Sequence, residues 1–174
     1  MKSKTDTLLV VMNVMAWIVC IGLFIKGGVY LVSGCASLFH PEATKNFYQK
    51  ENLFALRQFS GRHFGISIGL LTAITIIEAY TALLFTKLFS VVKISSPFKP
   101  EAANILVKVS YYILVIWVIA MGYDFYAFWL QKQVDGLIME HIPGEFLYLA
   151  GVVFVIGQIF KKGVELQTES ELTV

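Results

Sequence analysis

The sequence predicts an all-α integral membrane protein, a four-helix bundle crossing the bilayer four times with both ends in the cytoplasm. Three observations predict it. Apolar residues make up 57% of the 174-residue chain and charged residues only 15%, against roughly 45–50% and 25% in a soluble domain. The apolar residues gather into four stretches, three of them at or beyond the ~20 residues needed to cross a hydrocarbon core about 30 Å thick. None alternates with the period of two that marks a barrel strand. Lysine and arginine then favour the side that holds both ends, as short cytoplasmic loops do.

The first stretch runs from about residue 8 to 32 and begins LLVVMNVMAWIVCIGLFI. Lys2 and Lys4 precede it, and Val32-Ser33-Gly34-Cys35 resembles a lipoprotein cleavage site. The apolar run is about twice the ~7–15 residues of a signal peptide's central region and contains Lys26, so a span is the better reading. The second span covers 64–89, the third 105–130 and the fourth, the shortest, 146–160, followed by a polar tail over 161–174. The whole chain, 1–174, reads as one four-span domain.

The connections are legible from their breakers. The first, residues 33–63, contains FYQKENLFALRQF, whose apolar and charged residues recur at helical spacing. That pattern predicts a short amphipathic helix lying on the outer membrane surface. The second, Ser95-Ser96-Pro97-Phe98-Lys99-Pro100-Glu101, ends one helix and starts the next through its prolines. The third, residues 131–145, turns at Gly136 and Pro143-Gly144.

With the ends inside, Lys2, Lys4, Lys87, Lys93, Lys99, Lys108, Lys161 and Lys162 fall on the inner side. Lys26, Lys45, Lys50, Arg57, Arg62 and Lys132 fall outside. Tyr123, Phe125, Tyr126, Phe128 and Trp129 are expected to form an outer aromatic belt, because such rings suit the boundary between lipid and water.

Polar residues inside spans mark candidate sites, since they are costly in lipid. Glu78, Asn13 and Gln158 reach similar depth in the inner half, and Lys108 is one turn inside the third span. Together they form a candidate intramembrane polar cluster for an ion or proton, set against the plainer reading of Glu78 as a hydrogen-bonded structural carboxylate. Lys26 and Asp124 fall at comparable outer depth and make a candidate ion pair, against separate contacts with headgroups. Gly65 and Gly69 form a GxxxG spacing, expected to pack helices within the monomer ahead of a dimer interface; a homo-oligomer is compatible with it. His40, His63 and His141 lie in outer connections and read as ordinary surface histidines. No metal-ligand spacing, nucleophile triad or phosphate loop is present, so no metal, cofactor or catalytic residue is assigned. Cys20 and Cys35 on one continuous helix are about 22 Å apart, too far for a disulfide. The formal charge of +2 is spread along the chain, which argues against direct nucleic-acid binding.

The inner Pro97-Phe98 with Pro100-Glu101-Ala102, and the tail Ile159-Phe160-Lys161-Lys162-Gly163-Val164-Glu165-Leu166 ending Glu171-Leu172-Thr173-Val174, resemble the bacterial family of domain of unknown function 2975. The resemblance covers nearly the whole chain and implies a small protein of the bacterial cytoplasmic membrane. It also implies a neighbour, a very small helix-turn-helix regulator often encoded beside such proteins. The expected function is a non-enzymatic membrane regulator or scaffold that docks protein partners through Pro97, Phe98, Glu165, Leu166, Glu169 and Glu171. The alternatives are an accessory subunit of a transport or secretion complex, and a small ion- or proton-coupled transporter using Glu78. Membrane lipids surround the chain in every case.

Overall fold

Inside a bilayer no water is present to pair backbone amides and carbonyls, so each segment must satisfy its own, and the α-helix does so. The computed structural model describes residues 4–39, 53–92, 98–139, 141–142 and 144–172, with the backbone alone at 4–6, 38–39, 53 and 171–172. These residues form five helices: α1 Lys4–Phe39, α2 Leu53–Phe59, α3 Gly61–Val91, α4 Pro100–Gln133 and α5 Phe146–Leu172. Among the described residues there is no strand. Helices α1, α3, α4 and α5 are long and apolar enough to cross a membrane, as a multi-pass membrane protein requires.

The helix ends follow local chemistry. The carbonyl of Ser60 accepts from Phe64 N–H at 3.1 Å and so begins α3 one residue after α2 ends. The carbonyl of Lys99 accepts from Ala103 N–H at 3.1 Å, which puts Pro100 at the first helical position, where its missing N–H is no loss. Glu101 follows in the first turn, favourable beside the positive helix end. After α4 the chain turns at Gly136, whose φ of 74° is costly for any residue bearing a Cβ. Helix α5 is longer than its apolar stretch: it continues past Phe160 for twelve residues, about 18 Å. The helix predicted from FYQKENLFALRQF is described only at Leu53–Phe59, its earlier part lying outside the described residues.

The chain divides into two compact units. The first comprises Met1–Ile21, Glu78–Val115 and Glu145–Val174. Its core is built from Leu84 and Leu88 of α3, Ala102, Ile105, Leu106, Val109 and Ile113 of α4, and Ala150 and Val153 of α5. The α4 positions recur at three- and four-residue steps and so share a face. Gly157 brings α4 and α5 together: a Cβ there would stand 3.0 Å from Val107 Cγ2 and 3.3 Å from its backbone nitrogen. Helix α1 joins this unit at Cys20, which is buried with its Sγ 3.7 Å from the Ala79 carbonyl. Tyr80 meets Tyr112 edge-on, centroids 5.0 Å apart.

The second unit comprises Gly22–Ile77 and Ile116–Gly144. Tyr30, Leu56, Phe64, Ile116, Tyr123 and Leu130 are its large buried side chains. Tyr123 is therefore core, a correction to the expected belt, whereas Phe125, Phe128 and Trp129 are exposed. Gly34 of α1 receives Ile68 of α3, whose Cγ2 would stand 2.8 Å from a Cβ. His63 lies in the first turn of α3 and not in a connection. Its Nδ1 is 2.6 Å from Tyr126 Oη, and Phe59, Tyr126 and Trp129 surround the ring at 5.5–5.9 Å between centroids.

The close approach at Gly157 sets an expectation. Gly157→Val should lower stability by about 1–3 kcal/mol through overpacking against α4. Gly151→Val, on an exposed position of the same helix with nothing among the described residues within 4 Å, should not share that loss. Reversible unfolding of both variants in detergent micelles measures the difference.

Candidate functional site

The polar end of α5 carries the most distinctive surface of the first unit. Lys161 and Lys162 interrupt the apolar stretch, and the helix continues through Gly163, Val164, Glu165 and Leu166. Phe98, just before α4, packs edge-to-face on Phe160 with centroids 5.4 Å apart. It sits where a side chain at position 163 would stand: a Cβ there would come 2.6 Å from ring atom Cε1. Gly163 therefore forms the notch into which Phe98 fits.

An open groove of about 620 Å³ runs beside this contact, lined by Phe98, Ile159, Lys162, Gly163, Leu166 and Gln167. Its floor is apolar, with Leu166 at 55% and Phe98 at 38% exposure. Its edge is polar: Lys162 Nζ donates to Glu165 Oε2 at 2.9 Å, and Glu169 is exposed one turn on. A second exposed pair, Lys87 Nζ with Glu101 at 3.0 Å, links the end of α3 to the start of α4. Such surface pairs contribute little, about 0–1 kcal/mol each. Of the predicted docking residues, Phe98, Glu165, Leu166 and Glu169 gather at this end of the unit. Pro97 and the side chain of Glu171 lie outside the described residues. Gly163 entered the sequence analysis only as part of the tail motif, and nothing local to it showed that it would receive Phe98.

The other predicted sites are rearranged. The structure does not gather all four members of the polar cluster at one buried centre. Lys108 and Gln158 are exposed on their helices, while Glu78 is half-buried and Asn13 has its Oδ1 buried without a hydrogen-bond partner among the described residues. Helical phase decides this: residues at equal depth share a centre only if they also share a facing side. The Lys26–Asp124 pair is likewise replaced. Asp124 Oδ2 is 3.0 Å from His141 Nδ1, and Asp124 Oδ1 accepts from the Ile142 backbone N–H at 3.1 Å. Lys26 instead stands over the Tyr30 ring, 5.7 Å from its centroid. Asp124 thus pins the chain after α4 in place, and matching depth alone named the wrong partner. Among the described residues nothing lies within 4 Å of a Cβ at Gly65 or Gly69, so the GxxxG spacing makes no close contact there. Cys20 and Cys35 are both free thiols. No group of three or more His, Cys, Asp or Glu able to hold a metal occurs among the described residues.

The sequence matches a family described as "Protein of unknown function (DUF2975)" over residues 6–174. The chain belongs to this family. The match runs through all four long helices and the tail of this DUF2975 protein, so the groove and the notch both lie inside the family's own extent. Neither a curated protein nor a solved structure matches the sequence.

Two outcomes test the geometry of this DUF2975 chain. Gly163→Val should expel Phe98 from its notch and speed amide hydrogen exchange across residues 159–167 several-fold, read by mass spectrometry. Asp124→Ala should leave the Ile142 amide without its acceptor and raise its exchange rate about tenfold, which corresponds to roughly 1.4 kcal/mol within the range for a lost hydrogen bond.

Proposed function

We propose that this DUF2975 protein is a non-enzymatic regulator or scaffold of the bacterial inner membrane that docks protein partners at its cytoplasmic face. The single observation that carries the reading is the groove beside Phe98 and Leu166, an apolar surface at the polar end of a helix whose remaining length is hydrophilic. Large apolar side chains exposed beyond a membrane span lack the lipid that covers those within it. Apolar surface rimmed by polar groups is the usual character of a protein-binding patch.

Both ends lie in the cytoplasm in this reading. The bias of Lys and Arg and the Lys161-Lys162 pair at the end of the fourth apolar stretch support that orientation. The groove and the tail then face the same compartment as soluble regulators. A small helix-turn-helix transcription factor, the partner implied by the family resemblance, is the first candidate, and the acidic Glu165, Glu169 and Glu171 suit a basic surface on it. The chain would hold or release that factor without itself touching nucleic acid. The transport reading gains nothing from Lys108 and Gln158, which face outward.

Co-purification from native membranes tests the proposal. The full chain should retain a cytoplasmic protein that is lost on deleting residues 165–174, and lost or much reduced with Leu166→Glu. Identical partners for all three proteins would overturn it, and a stoichiometric complex with larger membrane proteins would favour the accessory-subunit alternative.

A further inference from the structure

The seam between α4 and α5 in the first unit carries a polar surface that the docking groove does not use. Tyr111 meets Phe154 edge-on, centroids 6.4 Å apart, and both rings are exposed. The two helices run antiparallel, because Phe98, Val107 and Tyr111 meet Phe160, Gly157 and Phe154 in turn. Lys108 and Asn104 precede Tyr111 by three and seven residues, and Gln158 and Lys161 follow Phe154 by four and seven, so each set shares the face of its ring. All four are exposed. At ~1.5 Å per residue, Lys108 and Gln158 lie about 4.5–6 Å beyond the ring pair, and Asn104 and Lys161 about 10 Å beyond it. Antiparallel packing therefore gathers them on one exposed strip.

Both cations of the strip lack a counter-ion in the chain. Neither Lys108 nor Lys161 has an ion pair with another described residue. The carboxylates one turn further along the same faces are engaged elsewhere, Glu101 with Lys87 at 3.0 Å and Glu165 with Lys162 at 2.9 Å. Lys108 also lies within a helix apolar enough to cross a membrane, where an ammonium without a partner is costly.

The surroundings select the occupant. An anion suits the two ammonium groups, and Asn104 and Gln158 offer amide N–H donors on the same strip. In the other direction the strip turns apolar: past the Tyr111–Phe154 pair come the exposed Val115 of α4 and Leu147 of α5. A soluble phosphate or an acidic peptide satisfies the lysines and leaves that apolar length bare. A lipid satisfies both, and basic pockets between membrane helices hold anionic headgroups in this way. A zwitterionic headgroup would bring a third cation to a site that already holds two. We propose that the α4–α5 seam binds one anionic phospholipid, with the ammonium groups of Lys108 and Lys161 donating to its phosphate and Tyr111 and Phe154 walling its acyl chain. This site is independent of the docking groove on α5.

The test is native mass spectrometry of the full chain, titrated in detergent with phosphatidylglycerol and, in parallel, with phosphatidylcholine. The wild type should retain one phosphatidylglycerol in preference to phosphatidylcholine. Lys108→Gln and Lys161→Gln should each weaken phosphatidylglycerol binding about fivefold, and the double variant roughly twentyfold, with phosphatidylcholine binding unchanged. Lys108→Arg, which keeps the charge, should bind like the wild type, and so should Lys132→Gln, which removes a cation at the far end of α4. Helicity and unfolding should be unchanged throughout, since each replaced side chain is exposed. Equal retention of the two lipids by the wild type overturns the proposal, as does wild-type affinity for phosphatidylglycerol in the double variant. It is equally overturned if Lys132→Gln loses as much as Lys108→Gln, or if glycerol phosphate displaces the lipid, which would mark a site for a soluble anion.

Discussion

A hydrocarbon solvent offers no hydrogen bonds, and this constraint shapes every level of the protein. Helices α1, α3, α4 and α5 pair their backbones internally over long apolar runs. The same rule reaches the side chains. Ser37, Thr75, Thr86 and Ser110 turn their hydroxyls back onto carbonyls three or four residues earlier in their own helices. These four hydroxyls are thereby satisfied within their own helices. Helix α1 shows the other consequence: Val10, Met15, Ile18, Ile25 and Val32 are each more than half exposed, and in lipid such a surface is already in its preferred medium.

Because lipid is as apolar as leucine, burying side chains between membrane helices gains little from the hydrophobic effect, and shape must supply the attraction. The structure places that fit at glycines that admit a neighbouring side chain. Gly157 admits Val107 in the first unit, and Gly34 admits Ile68 in the second. Aromatic contacts add to it: the Tyr80–Tyr112 pair in the first unit and the ring cluster around His63 in the second. Edge-to-face aromatic pairs are worth about 0.5–1.5 kcal/mol beyond their burial.

Beyond the apolar stretch of α5 the chemistry changes. Water can again satisfy polar groups, so Lys162, Glu165 and Glu169 are admissible, and the helix persists as a hydrophilic extension. Phe98 in the Gly163 notch ties the segment before α4 to this extension. A segment held there presents Phe98 and Leu166 side by side, and a partner gains by covering them.

Composition and run length alone determined the all-helical membrane architecture and the approximate spans, because a stretch too apolar for water and too long for a small core has one stable environment. The turn chemistry of Lys99-Pro100-Glu101 and Gly136 was also local enough to read directly. Helical phase and partner choice were not. Sequence depth matched Lys26 with Asp124, yet Asp124 binds His141 and Ile142, which the turn after α4 returns to it. Sequence spacing singled out Gly65 and Gly69 as packing residues, whereas the close approach uses Gly157 and Gly34, which belong to no GxxxG pattern. Depth along a helix is fixed by residue number, but the direction a side chain faces, and what stands opposite it, depends on how each helix is rotated against its neighbours, and only the tertiary structure decides that.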